Sequence, residues 1–165
     1  YMSVILVLFT VICMPFWNAT TDAYERGDMS WIRTANKKLN IMTVGIIICL
    51  TLMVLCSKWV YAVWIQDKCT VPMPMTIMMA VYILLLVLSM RYSYFLNGVG
   101  ALRLQMYMTV MSIIFIPMAW AVSTLTHDIT YFLLVMCVCN VPGLMVNIIQ
   151  FNKIANNKAI GIWRI

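Results

Sequence analysis

Five apolar runs, each about as long as a helix that crosses a bilayer, divide this sequence at residues 2–24, 41–65, 75–95, 104–125 and 130–150. A span needs about 20 mostly apolar residues. Hydrocarbon admits only helices or closed barrels, because no water is present there to pair a free backbone N–H or C=O. The strict apolar/polar alternation of barrel strands is missing from all five runs. The runs therefore predict an all-α, polytopic membrane protein with about five transmembrane helices. Composition points the same way, with 64% hydrophobic and 10% charged residues against roughly 45–50% and 25% in globular chains. In such a chain the net charge of +6 reports membrane orientation rather than a nucleic-acid partner.

The longest interval without an apolar run is 18–40, read here as a polar loop with Arg26, Arg33, Lys37 and Lys38 and the acids Asp22, Glu25 and Asp28. The first helix is expected to pass Pro15 with a kink, since proline lacks one donor and crowds the preceding turn, and to end near Tyr24. Asp28 is suited to cap a following interfacial helix. In that helix Trp31, Ile32, Ala35 and Leu39 recur at helical spacing, with Arg33 and Lys37 on another side. Lys58 lies among Trp59, Tyr61 and Trp64, as an interfacial anchor would. Asn97-Gly98 reads as a helix stop, and Pro117 and Pro142 predict kinks in the last two runs. The tail, 151–165, reads as polar.

Orientation follows from the basic residues. The first loop, the third loop and the tail carry Arg26, Arg33, Lys37, Lys38, Arg103, Lys153, Lys158 and Arg164, whereas the second and fourth loops carry only Lys68. The positive-inside rule places the 18–40 loop, the turn after Gly98 and the C-terminus in the cytoplasm. Tyr1 then lies outside and enters an apolar run at once, with no basic region before it. This argues against a signal peptide and suggests a start partway through a longer reading frame.

Enzymatic chemistry is poorly supplied. His127 is the only histidine, and its neighbour Asp128 shares a short outer loop with it. No HExxH, CxxC, Walker loop or acidic magnesium cluster occurs, so neither a metal nor a cofactor is expected. Of the six cysteines, Cys13, Cys49, Cys56, Cys137 and Cys139 fall inside apolar runs, and Cys69 falls between two. A reduced cysteine in such a run is a small hydrophobe. Asn18-Ala19-Thr20 matches a glycosylation sequon, but on the cytoplasmic side.

Polar residues within the runs are the candidates for a site. Arg91, Tyr94 and Asn97 form an i, i+3, i+6 stripe that can face a cavity and bind an anion, since arginine donates two parallel hydrogen bonds to a phosphate. Asn140, Gly143, Asn147 and Gln150 fall on one face of the last helix, to pack on another helix or to line a water-filled cavity.

The stretches PFWNATTDAYERGDMSWIRT, YSYFLNGVGALRLQMYM and QFNKIANNKAIGIWRI carry a further signal. Their ordered pattern is Pro15-Phe16-Trp17, Thr21-Asp22-Ala23-Tyr24, Gly27-Asp28, Trp31-Ile32-Arg33, Asn97-Gly98-Val99-Gly100 and Gly161-Ile162-Trp163. It resembles the C-terminal part of the oligosaccharide (O-antigen repeat-unit) flippases, within the multidrug/oligosaccharidyl-lipid/polysaccharide exporter superfamily, over essentially the whole chain. The resemblance implies a piece of the second of two pseudo-symmetric lobes around a central, often cationic cavity. It implies translocation of an undecaprenyl-pyrophosphate-linked oligosaccharide across the bacterial inner membrane for surface polysaccharide assembly, with membrane lipids and a polysaccharide polymerase as partners. Where the family has a basic residue after the Asn-Gly-x-Gly turn, this chain has Ala101 and then Arg103. One lobe alone is not expected to transport, because it has nothing to rock against. Alternative readings are a multidrug exporter of the same superfamily and a membrane-embedded envelope-pathway transferase, which would need an acidic metal site. A respiratory-complex subunit would be expected to bury Glu, Lys or His, and no Glu lies in the five runs.

Overall fold

The computed structural model describes residues 1–65 and 70–163. Lys68 and Arg164, both counted for orientation, and Cys69 lie outside the described residues. Among the described residues the chain is helical throughout: α1 (Ser3–Glu25), α2 (Met29–Ile65), α3 (Met73–Val99), α4 (Arg103–Met111), α5 (Phe115–Thr126) and α6 (Ile129–Ala155), with 3-10 turns at Ser112–Ile114 and Gly161–Trp163. Five spans are long and apolar enough to cross a membrane, α4 and α5 together making one of them.

The 18–40 interval is not a loop. Its residues extend α1 to Glu25 and begin α2 at Met29, leaving three residues for the connection. Polarity there marks exposure to water and not an irregular backbone, because Thr, Asn, Lys and Arg side chains all fit the outer face of a helix. Asp28 caps α2 as its sequence position suggests. Its Oδ1 accepts from the Trp31 N–H at 2.9 Å and from the Ser30 hydroxyl at 2.7 Å. The Ser30 hydroxyl and then the Trp31 amide hold the Asp28 carboxyl below the usual carboxylate range. Ile32, Ala35 and Leu39 are buried while Arg33 and Lys37 are exposed, so the helical periodicity read from the sequence holds. At 37 residues and 1.5 Å of rise per residue, α2 is about 55 Å long, well beyond a hydrocarbon core of about 30 Å.

The helix stop expected at Asn97-Gly98 lies two residues further on. Gly100 adopts a left-handed conformation (φ 80°), with its N–H on the Asn97 carbonyl and the Ala101 N–H on the Leu96 carbonyl, a glycine-based helix end. Gly98 has a different role inside α3, where the Trp17 carbonyl and Thr20 side chain of α1 approach to within 3.0–3.2 Å of where a Cβ would stand. Thr20 of the sequon is buried at that crossing. In the fourth run the helical geometry changes before Pro117, which has no N–H for the carbonyl of Ile113. The chain takes a 3-10 turn at Ser112–Ile114 instead. Both α1 and α6 continue as helix through Pro15 and Pro142. The tail begins only after Ala155, and Phe151, Ile154 and Ala155 are buried members of α6.

The middle of the bundle is α3, which packs on α1 and α2 on one side and on α6 on another, with α4 and α5 against α6. One core joins Ile5, Phe9 and Cys13 of α1, Leu39 and Leu50 of α2, and Ala80, Ile83 and Val87 of α3. A second joins Ala23, Ile32, Leu96, Val99, Ala101, Phe151 and Ile154. It brings the end of α1, the start of α2, the end of α3 and the end of α6 together. Arg26, Arg33, Lys37, Lys38, Arg103, Lys153 and Lys158 therefore gather at one end of the bundle. Arg33 adds to this junction by donating through Nε and Nη2, at 3.1 and 2.8 Å, to the Ala155 carbonyl at the end of α6.

Candidate functional site

The polar residues singled out in the sequence separate into two places on opposite sides of α3. On the side of α1 and α2, Arg91 continues the stripe of Ala80, Ile83 and Val87 and is only 4% exposed. Its Nη2 donates to Asn36 Oδ1 at 2.8 Å and to the Tyr92 hydroxyl at 2.9 Å, and its Nη1 to Thr43 Oγ1 at 3.4 Å. The guanidinium carbon lies 4.6 Å from the centre of the Tyr92 ring, within cation–π range. Asn36 and Thr43 are seven residues apart on α2, so the start of that long helix supplies both acceptors. Arg91 and Tyr94 line a cavity of about 20 Å³ together with Thr20, Trp31 and Asn36. That volume suits a particle about the size of one water and has no room for a pyrophosphate. Tyr94 also meets Trp17 with ring centres 6.1 Å apart. Asn97 lines neither this cavity nor the groove described next.

The second place is an open groove of about 480 Å³ between α3, α4, α5 and α6. Asn140 and Asn147 line it, with Gly143 between them on the same face of α6. Ser89 and Ser93 of α3, Gln105 and Thr109 of α4, and Ser112 of the 3-10 turn complete its polar lining. Its apolar lining includes Met108, Met111 and Met118. No lining residue is charged. Asn147 Nδ2 donates to Ser93 Oγ at 3.2 Å, and Asn140 Nδ2 to the Met136 carbonyl of its own helix at 3.1 Å. Gln150, on the same face, is 1% exposed and packs away from the groove, donating to the Ala101 carbonyl at 3.3 Å. The amide face of α6 thus does both things expected of such a face: Asn147 and Gln150 tie α6 to α3 and its C-terminal turn, while Asn140 and Gly143 border the groove.

Two further polar features shape the groove, of which only the proline is readable in the sequence. Gln105 Nε2 is buried without a hydrogen-bond partner, an unmet donor on the groove wall. Pro142 has no N–H to offer the carbonyl of Val138 four residues earlier, and both residues line the groove. The groove therefore presents amide and hydroxyl groups alongside methionine side chains, a lining that can hold a neutral, hydroxyl-rich group beside an apolar one.

His127 and Asp128 have structural places in the α5–α6 turn. His127 ends α5 in a left-handed conformation (φ 51°). Asp128 caps α6 by accepting from the Thr130 N–H at 2.8 Å, and that backbone bond, with the Thr130 hydroxyl, lowers its carboxyl pKa. Lys58 and Trp59 are exposed on α2.

An all-helical chain with five helices long and apolar enough to span has the make-up of a multi-pass membrane protein. Comparison with known proteins finds no matching family model, no matching curated protein and no matching solved structure.

Proposed function

We propose that this chain forms part of a flippase that carries an undecaprenyl-pyrophosphate-linked oligosaccharide across the bacterial inner membrane, with its basic end and C-terminus in the cytoplasm. The observation that carries the reading is the uncharged groove beside Pro142. Amides and hydroxyls from three helices and a 3-10 turn line it, next to a helix that holds a proline within it and a span broken by a 3-10 turn before Pro117; rocking transporters build their central sites from such broken helices. Polar groups within spans are costly unless they find partners or face a water-filled cavity, and such a cavity is where a substrate path runs. Sugar hydroxyls both donate and accept, so they can satisfy Gln105, Asn140 and the serines together. The resemblance of the ordered motifs from Pro15 to Trp163 supports the family reading, and the seven basic residues at one end support the orientation.

Met108, Met111 and Met118 favour a second reading, export of apolar drugs by the same superfamily, because methionine adapts to varied apolar ligands. Binding to the purified chain in nanodiscs separates the two. An undecaprenyl-pyrophosphate oligosaccharide should bind more tightly than undecaprenyl pyrophosphate alone. The preference should shrink about tenfold with Asn140→Leu, as expected for a lost hydrogen-bonded contact of about 1.4 kcal/mol. Equal affinity for the two lipids would refute the saccharide reading, and tight binding of apolar cations in their place would support the drug exporter.

A further inference from the structure

We propose that the cavity beside Arg91 is a binding site for a single monoatomic anion of the chloride class, held between α1, α2 and α3. Arg91 is a buried cation that cannot shed its proton, because a guanidinium stays charged in proteins. Its partners Asn36, Tyr92 and Thr43 are all neutral. They solvate the charge without cancelling it, and a buried charge without an opposite one is strongly disfavoured. The acids among the described residues, Asp22, Glu25, Asp28 and Asp128, stand exposed at the helix ends. The only ion pair among the described residues joins Asp22 to Arg26.

Two further observations point to a ligand and not merely to an awkward residue. Arg91 Nε is buried with no hydrogen-bond partner, so a strong donor is left over. The adjoining cavity, about 20 Å³ and bordered by Thr20, Trp31, Asn36 and Tyr94 as well as Arg91, has room for one water-sized particle. A halide belongs to that size class, whereas a phosphate or carboxylate is too large. A chloride there would meet the leftover donor and neutralise the guanidinium in one step. The basic end of the bundle raises the local concentration of anions nearby. The site lies on the other side of α3 from the groove and does not depend on what the groove carries.

The test is thermal unfolding of the purified chain in detergent, followed by tryptophan fluorescence, with chloride exchanged for gluconate at constant ionic strength. A ligand that binds only the folded state raises the midpoint in proportion to the logarithm of its concentration. For a chain of this size the rise should be about 3–5 °C for each tenfold increase above the dissociation constant. Bromide should substitute and sulfate should not. Asn36→Asp, which sets a carboxylate against Arg91 from within the protein, should remove the chloride response while keeping the fold. Lys38→Gln, which removes an exposed cation, should leave the response intact. A wild-type midpoint indifferent to chloride at constant ionic strength overturns the site and leaves a water in the cavity. So does a chloride response that survives unchanged in Asn36→Asp.

Discussion

Substituting Gly98 by alanine tests the close approach of α1 to α3. The added Cβ would stand 3.0 Å from the Trp17 carbonyl oxygen, 3.1 Å from Thr20 Cβ and 3.2 Å from Thr20 Cγ2. Favourable contacts between carbon atoms lie at about 3.5–4.0 Å, so α1 must retreat by roughly 0.5 Å, an estimate from that difference. Little can yield, because the nearest atom is a helix carbonyl that already accepts from the Thr21 hydroxyl at 3.2 Å. Overpacking of this kind costs about 1–3 kcal/mol. Replacing a helical glycine by alanine returns about 0.8–1.0 kcal/mol, for a net loss of about 0–2 kcal/mol. Gly45 isolates the contact, since nothing lies within 4 Å of its would-be Cβ and alanine there keeps only the gain. The two variants should differ by about 1–3 kcal/mol, or roughly 2–12 °C in unfolding midpoint for a chain of this size. Circular dichroism of the purified variants in one detergent reads the difference. Matching midpoints for Gly98→Ala and Gly45→Ala would show that the α1–α3 crossing has slack and that the glycine is not required.

Two further expectations concern the helix caps and the membrane. The carboxyls of Asp28 and Asp128 are held below their unfolded values, so their contribution to stability is complete above about pH 4 and is lost as pH falls through the lowered folded values. The midpoint should drop over that acid range, and the double variant Asp28→Asn, Asp128→Asn, which keeps a capping oxygen but cannot titrate, should drop less; parallel losses would count against the caps. For orientation, single cysteines at Ser30 and Asn157 in an otherwise cysteine-free chain should resist an impermeant thiol reagent in intact cells and react after lysis. Labelling of both in intact cells would invert the topology.

The spans were legible because hydropathy reports the solvent around a segment. Their ends were less so, because water at a helix end does not unwind it: Lys37 and Lys38 sit within α2 as readily as Ile47 does. The caps at Asp28 and Asp128 depend on local chemistry, and Asp28 was readable for that reason. Arg91 and Tyr94 share the small cavity, as their i, i+3 spacing suggests, but Asn97 does not reach it, because an i, i+3, i+6 spacing drifts around the helix. The apolar stripe of Ala80, Ile83 and Val87 was the better guide, since its next member on α3 is Arg91 itself. Ser89 and Ser93, four residues apart, mark the other face and would have located the groove. Gln105 gave no signal of its own, because only the fold brings it to the groove that Asn140 and Ser93 also line.

The partners of Arg91 also bear on how the chain enters the membrane. An arginine at the centre of an emerging span costs about 2.5–3.5 kcal/mol on insertion scales, and less toward the ends. Asn36 and Thr43 precede Arg91 by 55 and 48 residues, an interval of roughly 2–11 s at ribosomal speeds of about 5–20 residues per second. Both acceptors are therefore already in place on α2 when α3 leaves the ribosome, and the guanidinium can move from aqueous surroundings directly onto them. With the order of the two helices exchanged, as in a circularly permuted chain, Arg91 would wait in the bilayer for its acceptors, and α3 would be the span most prone to slip back toward the cytoplasm.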